Sequence, residues 1–385
     1  MRITPIFLLV IWMISCREKA ADQSSPGHAI TEAGSFFHFI KADSVNPVLV
    51  PDSSLLFTCP IVKKTVRWEE KDVFNPAAII KNDTLFLIYR AEDKIGKFAG
   101  TSRIGLAWSL DGLHFTKHPV PVFYPDEDEQ KKWEWEGGCE DPRIVQDENG
   151  IYYMTYTAYD GDKARMLVAS SPDLYHWTKH GHIFANAYNG KYVGVWTKSG
   201  SIVSHYKKGS PVATRIKGKY WMYGGDVNIW AAHSDDLVNW TPVLLQAGEN
   251  APLPLRHNST EIADFKFVFG PREKKFDSDL VEPGPPAMLT DSAIWLVYNS
   301  RNIKDGGDSS LAEGTYAAGY IVIDKDDPLR VIDRSATYFI KPDKPYEING
   351  QVNHVCFVEG LVQYHGKWFL YYGTADSRIA VAVKE

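Results

Sequence analysis

Short segments in which aromatic and aliphatic residues alternate with polar ones recur along the whole chain. A period of two is typical of β-strands with one buried face. Five segments share the pattern: Leu85 to Tyr89, Tyr152 to Tyr156, Tyr220 to Tyr223, Ile294 to Tyr298, and Trp368 to Tyr372. Turn sequences such as Asp111-Gly112 separate these segments, and we find no long amphipathic helix with caps. The pattern therefore predicts an all-β chain.

A Ser, Asp and aromatic tail follows the first three of these segments at identical spacing. The tails are Ser109, Asp111 and Phe115; Ser171, Asp173 and Trp177; and Ser234, Asp236 and Trp240. With the last two segments, which lack the tail, the chain contains five units. Five units of about four short strands are typical of a β-propeller, whose blades leave few exposed edges. We predict a five-bladed propeller in which residues 36–60 supply a closing strand; the alternative is a pair of β-sandwiches.

The first sixteen residues have the pattern of a secretory signal. Arg2 is followed by an apolar stretch, Ile6 to Ile14, which is too short to span a membrane as a permanent helix. A small residue directly before Cys16 is typical of a bacterial lipobox, in which that cysteine is acylated and becomes the mature N-terminus. The alternative is an ordinary signal peptide whose cysteine is incidental. Residues 17–35 are rich in Ser, Gly, Ala and charge, and indicate a flexible tether.

These patterns define the expected organisation and location of the chain. Residues 1–15 form a signal peptide, residues 16–35 a lipidated tether, and residues 36–385 one catalytic propeller domain, because no linker divides the repeat region. We expect the protein in the bacterial periplasm or at the cell surface, anchored to the outer membrane. The lipid is then its only membrane contact.

The composition of the chain mainly excludes certain classes of function and site. The 385 residues are 44% hydrophobic, and a net charge of −6 without any run of Lys and Arg argues against a nucleic-acid partner. Cys59, Cys139 and Cys356 have neither CxxC nor Cys/His metal spacing, so we expect no disulfide framework, metal site or cofactor.

The densest group of candidate catalytic residues lies between Trp133 and Arg143. Its acidic residues stand beside tryptophans, and this suits a sugar site because indole stacks on pyranose rings while carboxylates transfer protons. The alternative is a solvated acidic turn. Glu359 also stands out, because it lies in an apolar run where a bare carboxylate is costly to bury. Other polar residues at predicted strand ends are Asn75, Arg90, Glu92, Asp93, Arg103, Glu282 and Asp376.

Six ordered motifs between about residues 70 and 383 resemble those of glycoside hydrolase family 130. They are Phe74-Asn75-Pro76, Tyr89-Arg90-Ala91, Gly138 to Arg143, Gly284-Pro285, Asn353 to Phe357, and Tyr372 to Asp376. The resemblance implies a five-bladed propeller that cleaves β-linked mannosides with inversion, most members being phosphorylases. It implies that Asp141 is the general acid and acts through a hydroxyl of the sugar. The implied substrate-binding residues are Asn75, Arg90, Glu140, Arg143 and Asp376.

The departures from the family pattern concern the phosphate. Phosphorylases hold this dianion with basic residues. Where those cations are expected, this chain has Thr214, Gly225, Leu280 and Asn299. Two acids, Glu282 and Glu359, stand where the phosphorylases have small or neutral residues. Such a replacement turns an anion site into one that polarises water, as an inverting hydrolase requires.

We therefore expect an inverting, exo-acting β-mannosidase that hydrolyses β-1,2-linked mannosides derived from mannan. Asp141 is the expected acid, and Glu282 and Glu359 are the expected water-activating pair. One alternative is a β-mannoside phosphorylase that releases mannose 1-phosphate, provided that Arg215 and Lys198 reach the site. The other is a non-catalytic sugar-binding lipoprotein, which gains nothing from paired acids.

Overall fold

The computed structural model describes residues 26–95, 97, 100–249 and 257–385; the predicted signal peptide and Cys16 lie outside them. Its strands are β1 (Ile40–Lys41), β2 (Leu56–Cys59), β3 (Lys64–Arg67), β4 (Asp72–Lys81), β5 (Thr84–Glu92), β6 (Ser102–Ser109), β7 (Thr116–Lys117), β8 (Gly138–Gln146), β9 (Tyr152–Tyr159), β10 (Ala164–Ser171), β11 (Thr178–His182), β12 (Ser201–Ile202), β13 (Ser204–Lys207), β14 (Ser210–Ala213), β15 (Arg215–Ile216), β16 (Lys219–Gly224), β17 (Ile229–Ser234), β18 (Trp240–Pro242), β19 (Phe267–Phe269), β20 (Leu280–Pro283), β21 (Met288–Leu289), β22 (Ile294–Arg301), β23 (Tyr316–Ile323), β24 (Val331–Arg334), β25 (Cys356–Tyr364), β26 (Lys367–Thr374) and β27 (Arg378–Lys384). The helices are α1 (Pro26–Phe36), α2 (Lys131–Glu134) and α3 (Pro345–Ile348), with short 3₁₀ turns at Ala187–Gly190 and His257–Ile262.

Five antiparallel blades follow one another along the chain and close into a ring. They are built on β4–β7, β8–β11, β12 with β16–β18, β20–β24, and β25–β27. The first strand of the first blade, β4, contacts both β8 and β25, so the first blade lies beside the last. The chain is therefore a five-bladed β-propeller, as predicted, and not a pair of sandwiches.

The N-terminal segment completes the last blade. Strand β1 pairs antiparallel with β27, with Ile40 opposite Val383. This pairing confirms that the stretch from residue 36 to 60 supplies a closing strand. It also ties the beginning of the domain to its end, which satisfies the backbone groups of what would otherwise be an exposed edge.

Helix α1 occupies part of the segment that the sequence assigns to a flexible tether, and this corrects the expected tether boundary. Ala29 and Ala33 are fully buried, and Phe36 contacts Trp295 and Trp368 at centroid distances of 5.2 and 5.0 Å. The two alanines are four residues apart and share one face, which lets the helix approach the blades closely. No helix in the described part of the chain is long and apolar enough to cross a membrane.

The repeated Ser, Asp and aromatic tail is a turn motif between the third and fourth strands of its blade. In the first blade, Ser109 Oγ accepts a hydrogen bond from the backbone N–H of Gly112 (2.9 Å). Asp111 Oδ1 accepts from the N–H groups of Leu113 and His114 at 2.8 and 2.9 Å. The second and third blades repeat these bonds. The motif therefore belongs to the fold and not to the chemistry.

Four blades bury a carboxylate that joins their second strand to their outermost strand. In the second blade, the fully buried Glu134 accepts a hydrogen bond from Tyr156 Oη (2.8 Å) and lies 2.6 Å from Lys179 Nζ. The third blade differs, because Tyr223 Oη donates to the carbonyl of Pro328 (2.9 Å). The corresponding carboxylate, tyrosine and basic residue are Glu69, Tyr89 and Lys117 in the first blade; Asp277, Tyr298 and Arg334 in the fourth; and Glu347, Tyr372 and Lys41 in the fifth.

Because a hydrogen bond to a charged group stabilises more than one to a neutral carbonyl, these tyrosines should differ in their contribution to stability. We expect Tyr156→Phe to lower the free energy of unfolding by about 1.5–3 kcal/mol, and Tyr223→Phe by about 0.5–1.5 kcal/mol. Urea unfolding of the two variants, with wild type in parallel, measures the difference. A larger loss for Tyr223→Phe would contradict the role given to the buried carboxylate.

Candidate active site

Bulges in the innermost strands place three predicted site residues at the channel. Asn75 lies at a bulge of β4, Asp141 at a bulge of β8, and Glu359 at a bulge of β25. Asn75 and Asp141 have φ angles of +49° and +48°, in the left-handed region that non-glycine residues rarely adopt. A bulge re-aims a side chain out of the regular alternation of a strand. At Asn75 and Asp141 the bulge thus presents the side chain to the channel, whereas Glu359 stays fully buried.

A cavity of about 110 Å³ lies where these strands meet. One wall is polar and the other is mostly apolar, which suits a sugar ring with hydroxyls at its edge and C–H groups on its faces. The polar residues are Asn75, Arg90, Asp141, Lys198, Glu282 and Asp376, and the apolar wall is Tyr316, Val352, Val355 and Phe357. Two larger surface grooves, of about 540 and 610 Å³, contain none of the predicted site residues, and a groove of about 280 Å³ contains the candidates Asp93 and Arg103.

The Asp141 carboxylate is held by one amide and two cations. Its Oδ1 accepts hydrogen bonds from Asn75 Nδ2 (2.9 Å) and Arg90 Nη1 (3.2 Å), and its Oδ2 lies 3.4 Å from Lys198 Nζ. Burial raises the pKa of Asp141, but Lys198, Arg90 and Arg143 outweigh burial and hold it below its ordinary value. Asp141 is therefore ionised in the free protein.

Arg90 also organises the acids around Asp141. Its Nη2 donates to Glu92 Oε1 (2.7 Å) and Glu140 Oε1 (2.9 Å). Burial, opposed by Arg90 and reinforced by Asp141, raises the pKa of Glu140. Burial and the charge of Asp141 raise the pKa of Asp376 to about 7, although Arg90 opposes the shift. At weakly acid pH this cluster consequently keeps a proton close to Asp141.

Glu282 faces Asp141 across Lys198. Both Lys198 Nζ (3.1 Å) and Ser199 Oγ contact Glu282 Oε1, which leaves Oε2 as the oxygen that can accept a proton from water. Since Lys198 Nζ is 3.4 Å from Asp141 Oδ2 and 3.1 Å from Glu282 Oε1, those two oxygens are at most 6.5 Å apart. Carboxyl groups of inverting glycosidases are separated by about 6.5–9.5 Å. The separation of these two oxygens in the free protein therefore does not exceed the lower limit of that range.

Three predicted site residues, Glu140, Arg143 and Glu359, do not line the cavity. Glu140 is held by Arg90, while Arg143 donates to the carbonyl of Pro283 (2.8 Å) and lies 2.9 Å from Glu359 Oε1. Burial raises the pKa of Glu359 well above its ordinary value, although Arg143 opposes the shift. The structure thus gives these three side chains contacts with other site residues in place of the expected direct contacts with substrate or water.

The positions at which phosphate-binding cations are expected contribute no cation to the cavity. Asn299 is fully buried and exchanges two hydrogen bonds with the backbone of Val358, at 2.7 and 3.0 Å. Arg215 is exposed and donates to the carbonyls of Gly218 and Asp235 (2.8 and 2.6 Å). Of the two cations that kept the phosphorylase alternative open, Lys198 reaches the cavity and Arg215 does not.

Sequence reasoning missed one acid near the site. Asp226 Oδ2 accepts a hydrogen bond from Trp196 Nε1 (2.7 Å), and burial raises the pKa of Asp226, with Lys198 opposing the shift and Glu282 adding to it. Asp226 directly follows Gly225, one of the positions where a phosphate-binding arginine is expected. This position beside Gly225 is the sequence feature that could have indicated Asp226 as a site residue. The described residues contain no group of three or more His, Cys, Asp or Glu that could hold a metal ion.

A propeller whose central cavity combines several carboxylates with an apolar wall is typical of a carbohydrate-active enzyme. Comparison of the sequence with protein families gives a match over residues 51–385 to the glycoside hydrolase 130 family, described as beta-1,4-mannooligosaccharide phosphorylase. The chain belongs to glycoside hydrolase family 130, whose members act on mannosides as phosphorylases or as hydrolases.

Individual relatives of the chain include proteins described as phosphorylases and proteins described as hydrolases. The chain is 30% identical to a 1,2-beta-oligomannan phosphorylase of Thermoanaerobacter sp. (strain X514), over 90% of this chain and 97% of the relative. It is 43% identical to a glycosyl hydrolase structure from Bacteroides ovatus, with a TM-score of 0.84 and coverage of 90% and 93%. A further structure, from work on GH130 glycoside hydrolases that target beta-1,2 mannosidic linkages in Candida mannan, gives the same identity, TM-score and coverage.

Proposed function

We propose that the protein is an inverting, exo-acting β-mannosidase that hydrolyses β-1,2-linked mannosides. The observation that carries the proposal is Glu282, a carboxylate that faces Asp141 across a one-sugar cavity with no arginine, lysine or histidine at the expected phosphate positions. The β-1,2 linkage is supported by the relatives on both sides of the family, whose descriptions name that linkage.

The charges near Glu282 disfavour a phosphate dianion. Lys198 and Arg90 are the cations of the cavity lining, and the charge of Lys198 is already matched by Asp141, Glu282 and Asp226. At an effective dielectric constant of about 20, two unit charges 4 Å apart interact by about 4 kcal/mol. The carboxylates beside Lys198 therefore offset the attraction that this lysine would exert on an incoming anion. A neutral water molecule does not depend on that attraction.

The proposed reaction divides the work between the two carboxyls. Asp141 gives its proton, through a hydroxyl of the bound mannose, to the glycosidic oxygen, and the bond from that oxygen to the anomeric carbon breaks. Glu282 Oε2 takes a proton from water as the water oxygen attacks the anomeric carbon from the opposite face. Mannose with inverted configuration and the shortened oligosaccharide leave.

Substrate binding must also protonate Asp141, which is ionised in the free protein. A neutral mannose ring in the cavity takes Asp141 further out of water, and burial raises the pKa of a carboxyl group. The proton comes from the neighbouring acids, because Asp376 has a pKa raised to about 7 and Glu140 a raised pKa.

The secretion and anchoring of the enzyme form a separate part of the proposal. The apolar stretch before Ser15-Cys16 supports export and acylation of Cys16, and α1 begins ten residues later at Pro26. A lipid at Cys16 would hold the propeller close to the outer membrane, in the periplasm or at the cell surface. There it would meet mannan-derived oligosaccharides as its substrates.

The proposal predicts that phosphate does not affect turnover. We expect the rate of mannose release from β-1,2-mannobiose to stay constant as phosphate is added to a phosphate-free buffer at fixed ionic strength, because Thr214, Gly225, Leu280 and Asn299 supply no cation where phosphate-binding cations are expected. Sulfate at matching ionic strength is the control for salt effects. A rate that rises and saturates with phosphate would favour the phosphorylase alternative, which Lys198 at the cavity wall keeps open.

A further inference from the structure

Arg143 lies where three blades meet and contacts the chain on both sides of the cavity. Its Nη1 donates to the carbonyl of Asp141 (3.1 Å), the residue that carries the acid. Its Nη2 donates to the carbonyl of Pro283 (2.8 Å) and its Nε to that of Gly284 (3.4 Å), directly after Glu282. Arg143, a residue that is only 2% exposed, thereby links the backbone of the second blade to that of the fourth.

Glu359 of the fifth blade is the counter-ion of Arg143. Its Oε1 lies 2.9 Å from Arg143 Nη2, and the two side chains are 0% and 1% exposed. Within the described residues, neither oxygen of Glu359 accepts a hydrogen bond of good geometry from another group. The neighbouring Val358 is fixed by Asn299, which stands opposite Glu282 in the pairing of β20 with β22. Among the residues that the structure describes, Arg143 is thus the one basic group that forms an ion pair with Glu359.

We propose that the Arg143–Glu359 ion pair is a positioning device that sets the separation of Asp141 and Glu282, and that Glu359 acts on catalysis only through Arg143. The proposal rests on the proposed function for the roles of Asp141 and Glu282. A base must lie within about 2.6–3.2 Å of the proton that it takes, and Glu359 does not reach the cavity wall. Glu282 is then the base, and Glu359 is a positioning residue.

The energetic reason for the pair is that each charge needs the other. Removal of one partner of a buried ion pair leaves an uncompensated charge and is strongly destabilising, whereas replacement of both by apolar residues of similar volume is often neutral. A displacement of about 1 Å between reacting groups lowers the rate by about 100-fold. Stability and catalysis can therefore be separated by comparing single with double substitutions.

The first experiment compares Glu359→Met, Arg143→Met and the double variant in urea unfolding and in β-1,2-mannobiose kinetics. We expect each single variant to lose stability and the double variant to regain the part that an unpaired buried charge costs, but not the part that the three carbonyls bonded to Arg143 contribute. In the double variant kcat should stay about 10–100-fold below wild type, with KM within about threefold, because the separation of acid and base is no longer fixed. Recovery of kcat together with stability would overturn the proposal.

A second buried pair supplies the matched control. Lys179 and Glu134 are 2.6 Å apart and lie away from the cavity. Their double Met variant should keep near wild-type kcat, although it loses the hydrogen bond from Tyr156 to Glu134 and the stability that this bond contributes. If it also keeps a 10–100-fold loss of kcat, the loss in the Arg143/Glu359 variant is not specific to the site and the proposal fails.

Azide tests whether Glu359 faces the anomeric carbon. In Glu282→Ala, azide can enter the space of the lost base and attack the anomeric carbon while Asp141 protonates the departing oxygen, giving α-mannosyl azide. Glu359→Ala should give none, because the space that it opens lies behind the cavity wall beside Arg143. Mannosyl azide from Glu359→Ala would overturn the positioning role.

Failure of the proposed function can be recognised separately. It would appear as mannose 1-phosphate from the wild-type enzyme. In that case the same single and double variants, followed by mannose 1-phosphate release, still show whether kcat recovers with stability.

Discussion

Asp141→Asn should lower the turnover of β-1,2-mannobiose by about 10²–10⁴-fold, the range that general acid catalysis contributes. Asn keeps the size of the side chain and can still accept the hydrogen bond from Asn75 at Oδ1, but it cannot supply a proton to the leaving oxygen. An aryl β-mannoside with an acidic phenol as leaving group should lose much less, because its departure needs little protonation.

The control for this variant is Asp111→Asn, which changes an exposed aspartate in a turn far from the cavity. It should retain near wild-type turnover. Near-normal hydrolysis of mannobiose by folded Asp141→Asn, or an equal loss on both substrates, would remove Asp141 from the role of acid.

Glu282→Gln should abolish most hydrolysis while leaving substrate binding measurable. General base catalysis contributes about 10²–10⁴-fold, and Gln cannot take the proton from water. The amide can still occupy the place of the carboxylate beside Ser199, so the cavity keeps its shape. Calorimetry with β-1,2-mannobiose should give an affinity within about tenfold of the wild-type KM, whereas the rate falls by orders of magnitude.

A companion variant, Glu92→Gln, changes an acid that accepts a hydrogen bond from Arg90 and does not line the cavity. Its loss of rate should be clearly smaller than that of Glu282→Gln. If Glu282→Gln hydrolyses mannobiose at close to the parental rate, the water-activating role of Glu282 is wrong.

The number and order of blades were predictable from the sequence, because strand period and the Ser, Asp and aromatic tail are local features. The buried carboxylates of the blades were not. Glu347 and Lys41, for example, meet across 306 residues, and nothing near either residue predicts the contact. Helix α1 was also missed, since its buried alanines lie within a stretch whose overall composition is typical of a tether.

The sequence predicted which residues form the site better than it predicted how they are arranged. Asn75, Arg90, Asp141, Glu282 and Asp376 all line one cavity. Sequence order could not show that Glu359 points behind the wall, because a bulge between Val358 and Gly360 changes the direction of its side chain. Lys198 reaches the cavity from the irregular segment between the second and third blades. This segment has no alternating pattern of hydrophobic residues from which its course could be predicted.

The most direct test of hydrolysis is a proton NMR time course of wild-type enzyme with β-1,2-mannobiose in buffer that contains phosphate. We predict that α-mannose appears first from the cleaved unit, as inversion at a β-linkage requires, and that no mannose 1-phosphate forms. Mannose 1-phosphate as the main product, or β-mannose as the first-formed sugar, would contradict an inverting hydrolase in which Glu282 activates water against Asp141.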